Sequence, residues 1–397
     1  MTKNNPQIIV LSRNYSTGLG VIRALGMAGY AVDLIASVKQ KGSSIICRSS
    51  KYVARSTEVL APNIRTDKGE AIIEELMKYE KGEEKPIIFP CDDYTTSIID
   101  NNRKALEERF IMPKAEDHTI MELMDKHFQA AEASKAGIHV PKEWQVDLRQ
   151  EIEIPEVTFP VFVKPENSVI GHKSEMAVID NRDDLAKHLR SMQSTYAERI
   201  IVLQEFLNIE KEYDFSGLCL GNRIIIPGVL EKTHIAKHER GVTMAGKMIA
   251  KGSTPELQEI MPKVEKLLQS FNYFGMFDME LNLVDGKIYF GEVNLRSGGP
   301  NFSYCLSGVN LPDIFVKEAL GRGHSPEEEE LQEYGKVYVY EKVAWEDYIN
   351  GFMSKKEMEE VIKSADYTLL ASDEDPEPGK IFSKRIRLSA LKHKILK

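Results

Sequence analysis

Apolar segments that alternate with polar ones predict a doubly wound α/β domain in the first hundred residues. The runs at residues 7–12 and 31–36 are typical of buried parallel strands. Between them lie a Gly-containing turn at residues 16–20 and an apolar-periodic helix that Gly29 closes. A further apolar run at 87–90 predicts a later strand of the same sheet. Strand, turn, helix and strand together form a βαβ unit.

After Pro113 the pattern changes to shorter helices and strands of an α+β kind. Asp125 opens a helix that runs to about Ala136. Residues 255–271 form an amphipathic helix with one apolar stripe. Two strands then surround the tripeptide 284–286.

A chain of 397 residues is longer than a single hydrophobic core usually supports, so we expect several domains. The expected boundaries are a Rossmann-like domain at 1–112, a two-lobed module at 113–322 and a small α+β appendage at 323–397. Within the module, the first lobe is expected at 113–203 and the second at 204–322.

Composition excludes several classes of protein. A formal net charge of −9 argues against a general nucleic-acid binder. No apolar run is long enough for a membrane span, and no signal peptide is evident, so we expect a cytoplasmic protein. The four cysteines lie far apart and predict neither a zinc site nor a disulfide framework. The turn at 16–20 lacks the complete pattern of a dinucleotide-binding loop, which argues against NAD.

The strongest chemical signal is a pair of strands that carries carboxylates and an amide. Asp278 lies on the first strand, and Glu292, Asn294 and Arg296 follow on the second. Apolar residues alternate with these polar ones, so one face is core and the other is a polar cluster. Hard oxygen ligands suit Mg²⁺ or Mn²⁺, so we expect Asp278, Glu292 and Asn294 to bind the metal. A solvated strand face is the alternative.

The metal hypothesis requires a particular hairpin register. A two-residue turn at Asp285-Gly286 would pair Asp278 with Val293 in a regular ladder, and would put Asp278 and Glu292 on opposite faces. We therefore expect a three-residue loop, Gly286 at positive φ, and Asp278 directly opposite Glu292.

The order of five motifs resembles the ATP-grasp superfamily of ligases. The hairpin resembles the metal-binding hairpin of that superfamily. Upstream, Lys126 at a helix start, Lys164 in an apolar strand, the lid-like loop 167–174 and the linker 204–207 follow in the family's order. The resemblance covers about residues 1–322 and is nearest to the D-aspartate ligase and amino-acid ligase branch. It implies a pre-ATP-grasp domain, a two-lobed ATP-grasp module and a C-terminal appendage.

The resemblance also implies roles for particular residues. Contacts to ATP would come from Lys126, Lys164, Ser168, Lys173, Gln204, Glu205, Phe206, Leu207 and Glu212. Catalysis would use Lys164 and Arg296. Substrate contacts would come from Asp92, Asp93, Arg296, Ser297, Gly298 and Gly299.

Some of these roles have structural alternatives. Arg296 suits a carboxylate or a phosphoryl group, but a structural ion pair stays open. Asp93 could instead cap a helix, and Lys173 could lie on an ordinary surface turn.

The activity implied is that of a carboxylate–amine ligase. A carboxylate, such as that of an amino acid, would attack the terminal phosphate of ATP to give ADP and an acyl phosphate, and an amine would then displace phosphate. The partners would be small-molecule acids and amines rather than nucleic acid, and homo-oligomerisation is left open. Two alternatives remain: a bicarbonate-using enzyme of the carboxylase or carbamoyl-phosphate type, and a catalytically silent ATP-binding regulatory protein.

Overall fold

The structure is a computed structural model. It describes residues 6–13, 15–64, 66–80, 82, 84–165, 176–196, 200–239 and 241–395. Among the helices in these ranges, none combines the length and hydrophobicity needed to span a bilayer.

Seventeen strands are named along the described chain: β1 (Ile8–Ser12), β2 (Val32–Val38), β3 (Val53–Leu60), β4 (Ile87–Pro90), β5 (Lys114–Ala115), β6 (Glu143–Asp147), β7 (Val161–Pro165), β8 (Ala177–Ile179), β9 (Ile200–Glu205), β10 (Lys211–Leu220), β11 (Arg223–Ile225), β12 (Val229–Ile235), β13 (Thr243–Ile249), β14 (Tyr273–Val284), β15 (Lys287–Asn294), β16 (Val337–Val339) and β17 (Tyr367–Thr368).

The α-helices of the same ranges are α1 (Tyr15–Met27), α2 (Ile45–Arg48), α3 (Glu70–Met77), α4 (Asp93–Asn101), α5 (Arg103–Leu106), α6 (Ile120–Leu123), α7 (Lys126–Ala136), α8 (Arg182–Tyr196), α9 (Pro255–Ser270), α10 (Asn301–Leu306), α11 (Leu311–Ala319), α12 (Glu341–Ile349), α13 (Lys355–Lys363) and α14 (Pro376–Ile395). A 3-10 helix covers Pro326–Glu329.

The N-terminal sheet is parallel, with strand order β3-β2-β1-β4. Every residue of β1 and β4 is buried. Alternate residues of β1 enter two separate cores: Ile8 and Val10 pack on the side of α1, and Ile9 packs with Ile72 of α3. Helices therefore cover both faces, and the predicted doubly wound arrangement is confirmed.

The Gly-containing turn predicted at residues 16–20 is wrong, because α1 already begins at Tyr15. Its glycine content serves packing instead. A Cβ atom on Gly18 would lie 2.3 Å from Oγ of Ser12, the last residue of β1. The missing side chain lets the helix approach the strand closely.

The first lobe is an antiparallel sheet with strand order β6-β9-β7-β8. Helix α8 covers one face, where Leu185 and Leu189 pack against Val161 and Val163 of β7. The alternate residues of β7, Phe162 and Lys164, belong to the opposite face.

The second lobe is built on a larger sheet with strand order β15-β14-β10-β12-β13-β16-β17. Helices α7 and α9 share its core with β14 and β15. Strand β16 pairs antiparallel with β13, and β17 pairs parallel with β16. The segment after residue 323 therefore continues this sheet, while the expected domain boundaries themselves stay predictions.

The C-terminal helix α14 lies against the N-terminal domain. Arg23 of α1 donates from Nε to Oδ2 of Asp375 at 2.9 Å, and both side chains are buried. The same guanidinium donates to the carbonyls of Leu369, Leu370 and Asp375. Asp375 also accepts from the backbone N–H of Lys51 at 2.9 Å. One buried ion pair thus connects the two ends of the chain.

Candidate active site

The hairpin formed by β14 and β15 turns through two residues. Val284 pairs with Lys287, and Asp285 and Gly286 between them have φ values of 47° and 71°. Positive φ at both central residues is the geometry of a tight hairpin turn, which glycine adopts at little cost. The predicted three-residue loop is wrong, whereas the positive φ at Gly286 is confirmed.

A β-bulge at Gly291 shifts the pairing of β14 with β15 by one residue beyond this turn. Leu281 pairs with Phe290, yet the preceding residue, Glu280, pairs with Glu292, so Gly291 has no partner of its own. A Cβ atom at Gly291 would lie 2.7 Å from the carbonyl oxygen of Glu280, which explains why the bulged residue is glycine.

Because of this bulge, Asp278 lies opposite Asn294. The expectation that Asp278 faces Glu292 directly is wrong. The polar side chains nevertheless lie on one face of the hairpin, as expected, because residues two apart along a strand share a face. Asp278, Glu280, Glu292 and Asn294 therefore occupy the same face of the hairpin.

Glu280 is a further candidate residue, beyond those that the sequence motif indicated. It lies directly opposite Glu292 and lines both cavities described below. The signal was in the sequence, since Glu280 is two residues from Asp278 and must share its face. Only the register of the hairpin shows which of the two carboxylates faces Glu292.

A buried lysine organises the acidic residues around the hairpin. The Nζ atom of Lys232, on β12, lies 3.2 Å from Glu212, 3.1 Å from Asp214 and 3.2 Å from Glu280. Its side chain is fully buried. Burial alone would lower the pKa of Lys232, but the three carboxylates raise it well above its usual value.

Asp278 is the deepest of the hairpin carboxylates. It accepts a hydrogen bond of 2.9 Å from Oγ of Ser216, and a Cβ atom on Gly298 would overlap its carboxylate at 2.0 Å. Burial raises the pKa of Asp278, and the Arg296 guanidinium partly offsets that rise. Burial also raises the pKa of Glu280, with the nearby Asp214 and Glu292 carboxylates adding to the shift.

The first cavity, which we call the interlobe cleft, has a volume of about 580 Å³ and lies between the two sheets of the lobes. Lys164 enters it from β7, where Nζ lies 2.8 Å from Oε1 of Glu143 and the side chain is 12% exposed. Gln204 donates to the same Glu143 oxygen at 2.6 Å. Burial lowers the pKa of Lys164, although Glu143 and the more distant Glu292 favour its charged form.

The linker between the lobes forms one wall of the interlobe cleft through Gln204, Glu205, Phe206 and Leu207. Glu205 is tied back to the first lobe, since its carboxylate accepts from the backbone N–H of Lys142 at 3.2 Å. Phe206 is 43% exposed.

Lys126 and Glu212, which were also expected to contact ATP, occupy different positions. Lys126, the first residue of α7, also lines the interlobe cleft. Glu212 instead pairs with the buried Lys232.

Arg296 connects the hairpin to the N-terminal domain. Its Nε atom lies 2.6 Å from Oδ1 of Asp93, and its NH2 group donates to Oδ1 of Asn294 at 3.3 Å. Burial lowers the pKa of Arg296, but the Asp93 carboxylate more than offsets this and raises it above its usual value.

Asp92 is the N-cap of α4 and accepts from the backbone N–H groups of Thr95 and Arg13 at 2.9 and 2.7 Å. The capping role considered for Asp93 thus belongs to Asp92.

The second cavity, of about 330 Å³, lies on the side of the hairpin toward the N-terminal domain. Its walls include Ser16 and Thr17 of α1, His238 of the β12–β13 connection and Lys342 of α12. Asp278 and Gly299 line this cavity. Ser297, the residue before Gly298, is buried. Gly298 packs against the Asp278 carboxylate.

Three residues of the hairpin, Glu280, Glu292 and Asn294, line both the interlobe cleft and the second cavity, as does Arg296, two residues beyond β15. The face that the bulge creates is therefore the partition between two spaces. Ser168 and Lys173, expected to contact ATP, lie outside the described residues.

The donor set suits a hard divalent cation. Within the described ranges no group of three or more His, Cys, Asp or Glu side chains is arranged to hold an ion. A cradle of Glu280, Glu292 and the Asn294 amide would combine two carboxylates with one amide oxygen, donors that Mg²⁺ accepts together with water and phosphate oxygens. Burial is the main cause of the raised pKa of Glu280, and the nearby Asp214 and Glu292 carboxylates, whose negative charge a cation would offset, add to it.

Known proteins resemble the chain in sequence and in fold. No protein-family model matches the chain. Over 201 residues it is 29% identical to the carbamoyl phosphate synthase large chain of Vibrio parahaemolyticus, a match that covers 50% of this chain and 18% of that protein. The chain spans about a fifth of the length of the curated relatives that it matches.

Solved structures match over most of the chain. An L-amino acid ligase from Bacillus licheniformis has a TM-score of 0.59 and 16% identity, covering 82% of this chain and 77% of that one. N5-carboxyaminoimidazole synthetase from Staphylococcus aureus, complexed with ADP, has a TM-score of 0.61 and 18% identity, covering 84% and 81%. The fold expected from the motif resemblance is thereby confirmed: the chain has the ATP-grasp fold.

Proposed function

We propose that the protein is an ATP-dependent carboxylate–amine ligase that joins a small acid, such as an amino acid, to an amine through an acyl phosphate. The observation that carries this proposal is that the same four polar residues, Glu280, Glu292, Asn294 and Arg296, border both cavities. A phosphoryl transfer between a nucleotide and a second substrate needs such a shared wall, because both reactants must reach one set of charges.

The interlobe cleft would hold ATP. Lys164 and Lys126 supply positive charge on the walls of that cleft, and Lys164 is fixed by Glu143 on a rigid strand. The exposed Phe206 offers an aromatic surface on the linker for the adenine. Lysine charges fixed before the substrate arrives stabilise developing negative charge without reorganisation.

Arg296 would contact the carboxylate or the transferring phosphoryl group at the boundary of the two cavities. Asp93 holds the guanidinium through Nε, which leaves NH1 and NH2 on the other edge with backbone and amide contacts. Ser297, Gly298, Gly299 and Asp93 would border the bound acid. Asp92 supports them indirectly as the cap of α4.

Glu280, Glu292 and Asn294 would hold Mg²⁺, with Mn²⁺ an acceptable substitute for the same oxygen donors. When bound, the cation would screen the negative charge of the nucleotide phosphates. Asp278, which is bound to Ser216 and lines only the second cavity, would support this cradle from behind.

An ADP-release screen tests the proposal. The purified protein is incubated with ATP and magnesium, with amino acids offered in pairs, and the Glu292→Gln variant serves as the inactive control. ADP release that requires two amino compounds, with a product containing both, is the expected result. Tight ATP binding without turnover for any pair or with bicarbonate would refute the ligase and favour a regulatory protein.

A bicarbonate-using enzyme is the second candidate, and the similarity to carbamoyl phosphate synthase favours it. It would use the same hairpin and cleft, with bicarbonate in place of the organic acid. The screen separates the two, because ADP release would then depend on bicarbonate and not on a second amino compound.

A further inference from the structure

His238 is a partly buried imidazole in the second cavity that the proposed phosphoryl transfer does not use. It lies in the connection between β12 and β13, and its side chain is 14% exposed. It lines the cavity together with Glu292, Asn294 and Arg296. Its ring therefore shares a space with the residues assigned to the reacting groups.

Asp347 fixes the orientation of this ring from the C-terminal segment. Nδ1 of His238 lies 2.6 Å from Oδ1 of Asp347, on α12. The Asp347 side chain is fully buried and also accepts from the backbone N–H groups of Lys237 and His238 at 2.8 to 3.1 Å. Burial raises the pKa of Asp347, but these hydrogen bonds outweigh it and lower the pKa below its usual value.

An ionised carboxylate can only accept hydrogen bonds, so the Asp347 contact places a proton on Nδ1. In the neutral ring, Nε2 then carries the lone pair. One carboxylate oxygen, Oε2 of Glu346, lies 3.4 Å from Nε2, which exceeds the usual hydrogen-bond length. The same oxygen lies 2.5 Å from Nζ of Lys342, which partly neutralises it.

These contacts resemble the arrangement that activates a general base, with a buried carboxylate behind an imidazole that lines a cavity. The amine half of the proposed reaction needs such a group. An amino group is mostly protonated at neutral pH, and an ammonium has no lone pair with which to attack.

We infer that His238 accepts the proton of the attacking ammonium, and that Asp347 is the positioning residue that keeps Nε2 available. This inference rests on the proposed ligase function. The ammonium gives one proton to Nε2 and attacks the acyl carbon, forming the C–N bond. The C–O bond to phosphate then breaks, and phosphate leaves with its electron pair. A second proton from nitrogen leaves with it as hydrogen phosphate, and His238 returns its proton to solvent.

Hydroxylamine provides a test because it is largely unprotonated at neutral pH and needs no base. It captures acyl phosphates as hydroxamates. Wild type and His238→Ala are compared with ATP, the acid identified by ADP release, and either hydroxylamine or the amine partner. His234→Ala is the matched control, since His234 is an exposed histidine on the neighbouring strand β12.

The expected result is a selective loss. His238→Ala lowers kcat with the amine by about 100-fold or more, the contribution typical of a general base. Hydroxamate formation stays close to the wild-type rate, and His234→Ala resembles wild type in both assays. An equal loss with both nucleophiles, or no loss with the amine, would overturn the role of His238.

The wild-type enzyme separates this inference from the proposed function. If wild type forms no hydroxamate with any acid, the ligase proposal itself fails. If it forms hydroxamate but joins no amino acid or ammonia, the amine step and the role of His238 fail together while acyl phosphate formation stands.

Asp347→Asn tests positioning separately. An amide stabilises the imidazolium less than a carboxylate does, so the acid limb of kcat against pH with the amine should move to lower pH. The other charged groups around His238 stay the same. They are Glu346 and Lys342 on α12, Glu239 next to it in the chain, and Asp214, Asp278, Glu280, Glu292 and Arg296 on the other walls of the cavity. An unchanged limb, or an equal loss with hydroxylamine, would show that Asp347 serves only the fold.

Discussion

Lys164 shows how a single charge becomes suited to phosphate binding. The apolar neighbours Val161 and Val163 point into the first-lobe core, so Lys164 must point into the interlobe cleft. There it meets one carboxylate, Glu143, which it shares with Gln204. A lysine so buried with a single shared counter-charge binds an added anion more strongly than an exposed lysine would.

Replacing Lys164 should therefore weaken nucleotide binding. We expect Lys164→Met to raise the Kd for ATP by about 10- to 100-fold, the range of a lost hydrogen bond to a charged group. Fluorescence titration or calorimetry with ATP and magnesium measures the change. Lys187→Met is the control, because Lys187 lies on α8 of the same lobe, is 74% exposed and pairs with the exposed Asp184. Equal losses in the two variants would remove Lys164 from the site.

At the scale of elements, the hairpin shows what the sequence could specify and what it could not. Alternation along β14 and β15 identified the polar face correctly, since apolar residues such as Met279 and Val293 enter the core. The pairing of individual residues could not be counted from the turn, because the bulge at Gly291 lies several residues away from it. A glycine next to Glu292 was visible, but a local pattern does not distinguish a bulge from close backbone packing.

The register makes Gly291 a testable position. A methyl group there would lie 2.7 Å from the Glu280 carbonyl oxygen, and backbone cannot yield as a flexible side chain would. We expect Gly291→Ala to displace Glu280 from Glu292, to lower ATP turnover by about 100-fold or more, and to destabilise the fold by about 1–3 kcal/mol. Turnover and urea unfolding measure the two effects.

The matched control is Gly286→Asn at the tip of the same hairpin. Asparagine tolerates positive φ, so the turn should persist at small cost, and turnover should stay near wild type. If the two substitutions reduce turnover equally, the turn and not the bulge sets the register of the site.

At the scale of the whole molecule, the C-terminal segment lines the second cavity together with the N-terminal domain and the second lobe. Helix α12 supplies Lys342 and Glu346 to the wall of the second cavity and Asp347 as the partner of His238. Strand β16 extends the sheet that carries the hairpin. The sequence indicated a separate α+β segment because its acidic run marks a boundary in composition. Long-range strand pairing leaves no such local signal, so the attachment of this segment to the sheet could not be predicted.

The buried pair of Arg23 and Asp375 attaches the same C-terminal segment to α1 of the N-terminal domain. Removing one partner leaves a charge buried without its counter-charge, which typically costs about 3–5 kcal/mol. We therefore expect Asp375→Ala to lower the free energy of unfolding by about that amount and to speed amide exchange throughout α14. Urea unfolding followed by circular dichroism, with hydrogen exchange, measures both. Glu377→Ala, at a 57% exposed residue of the same helix paired with Lys380, should change stability by no more than about 0.5 kcal/mol. A loss for Asp375→Ala as small as that of the control would mean that the backbone carbonyls, and not the carboxylate, hold Arg23 in place.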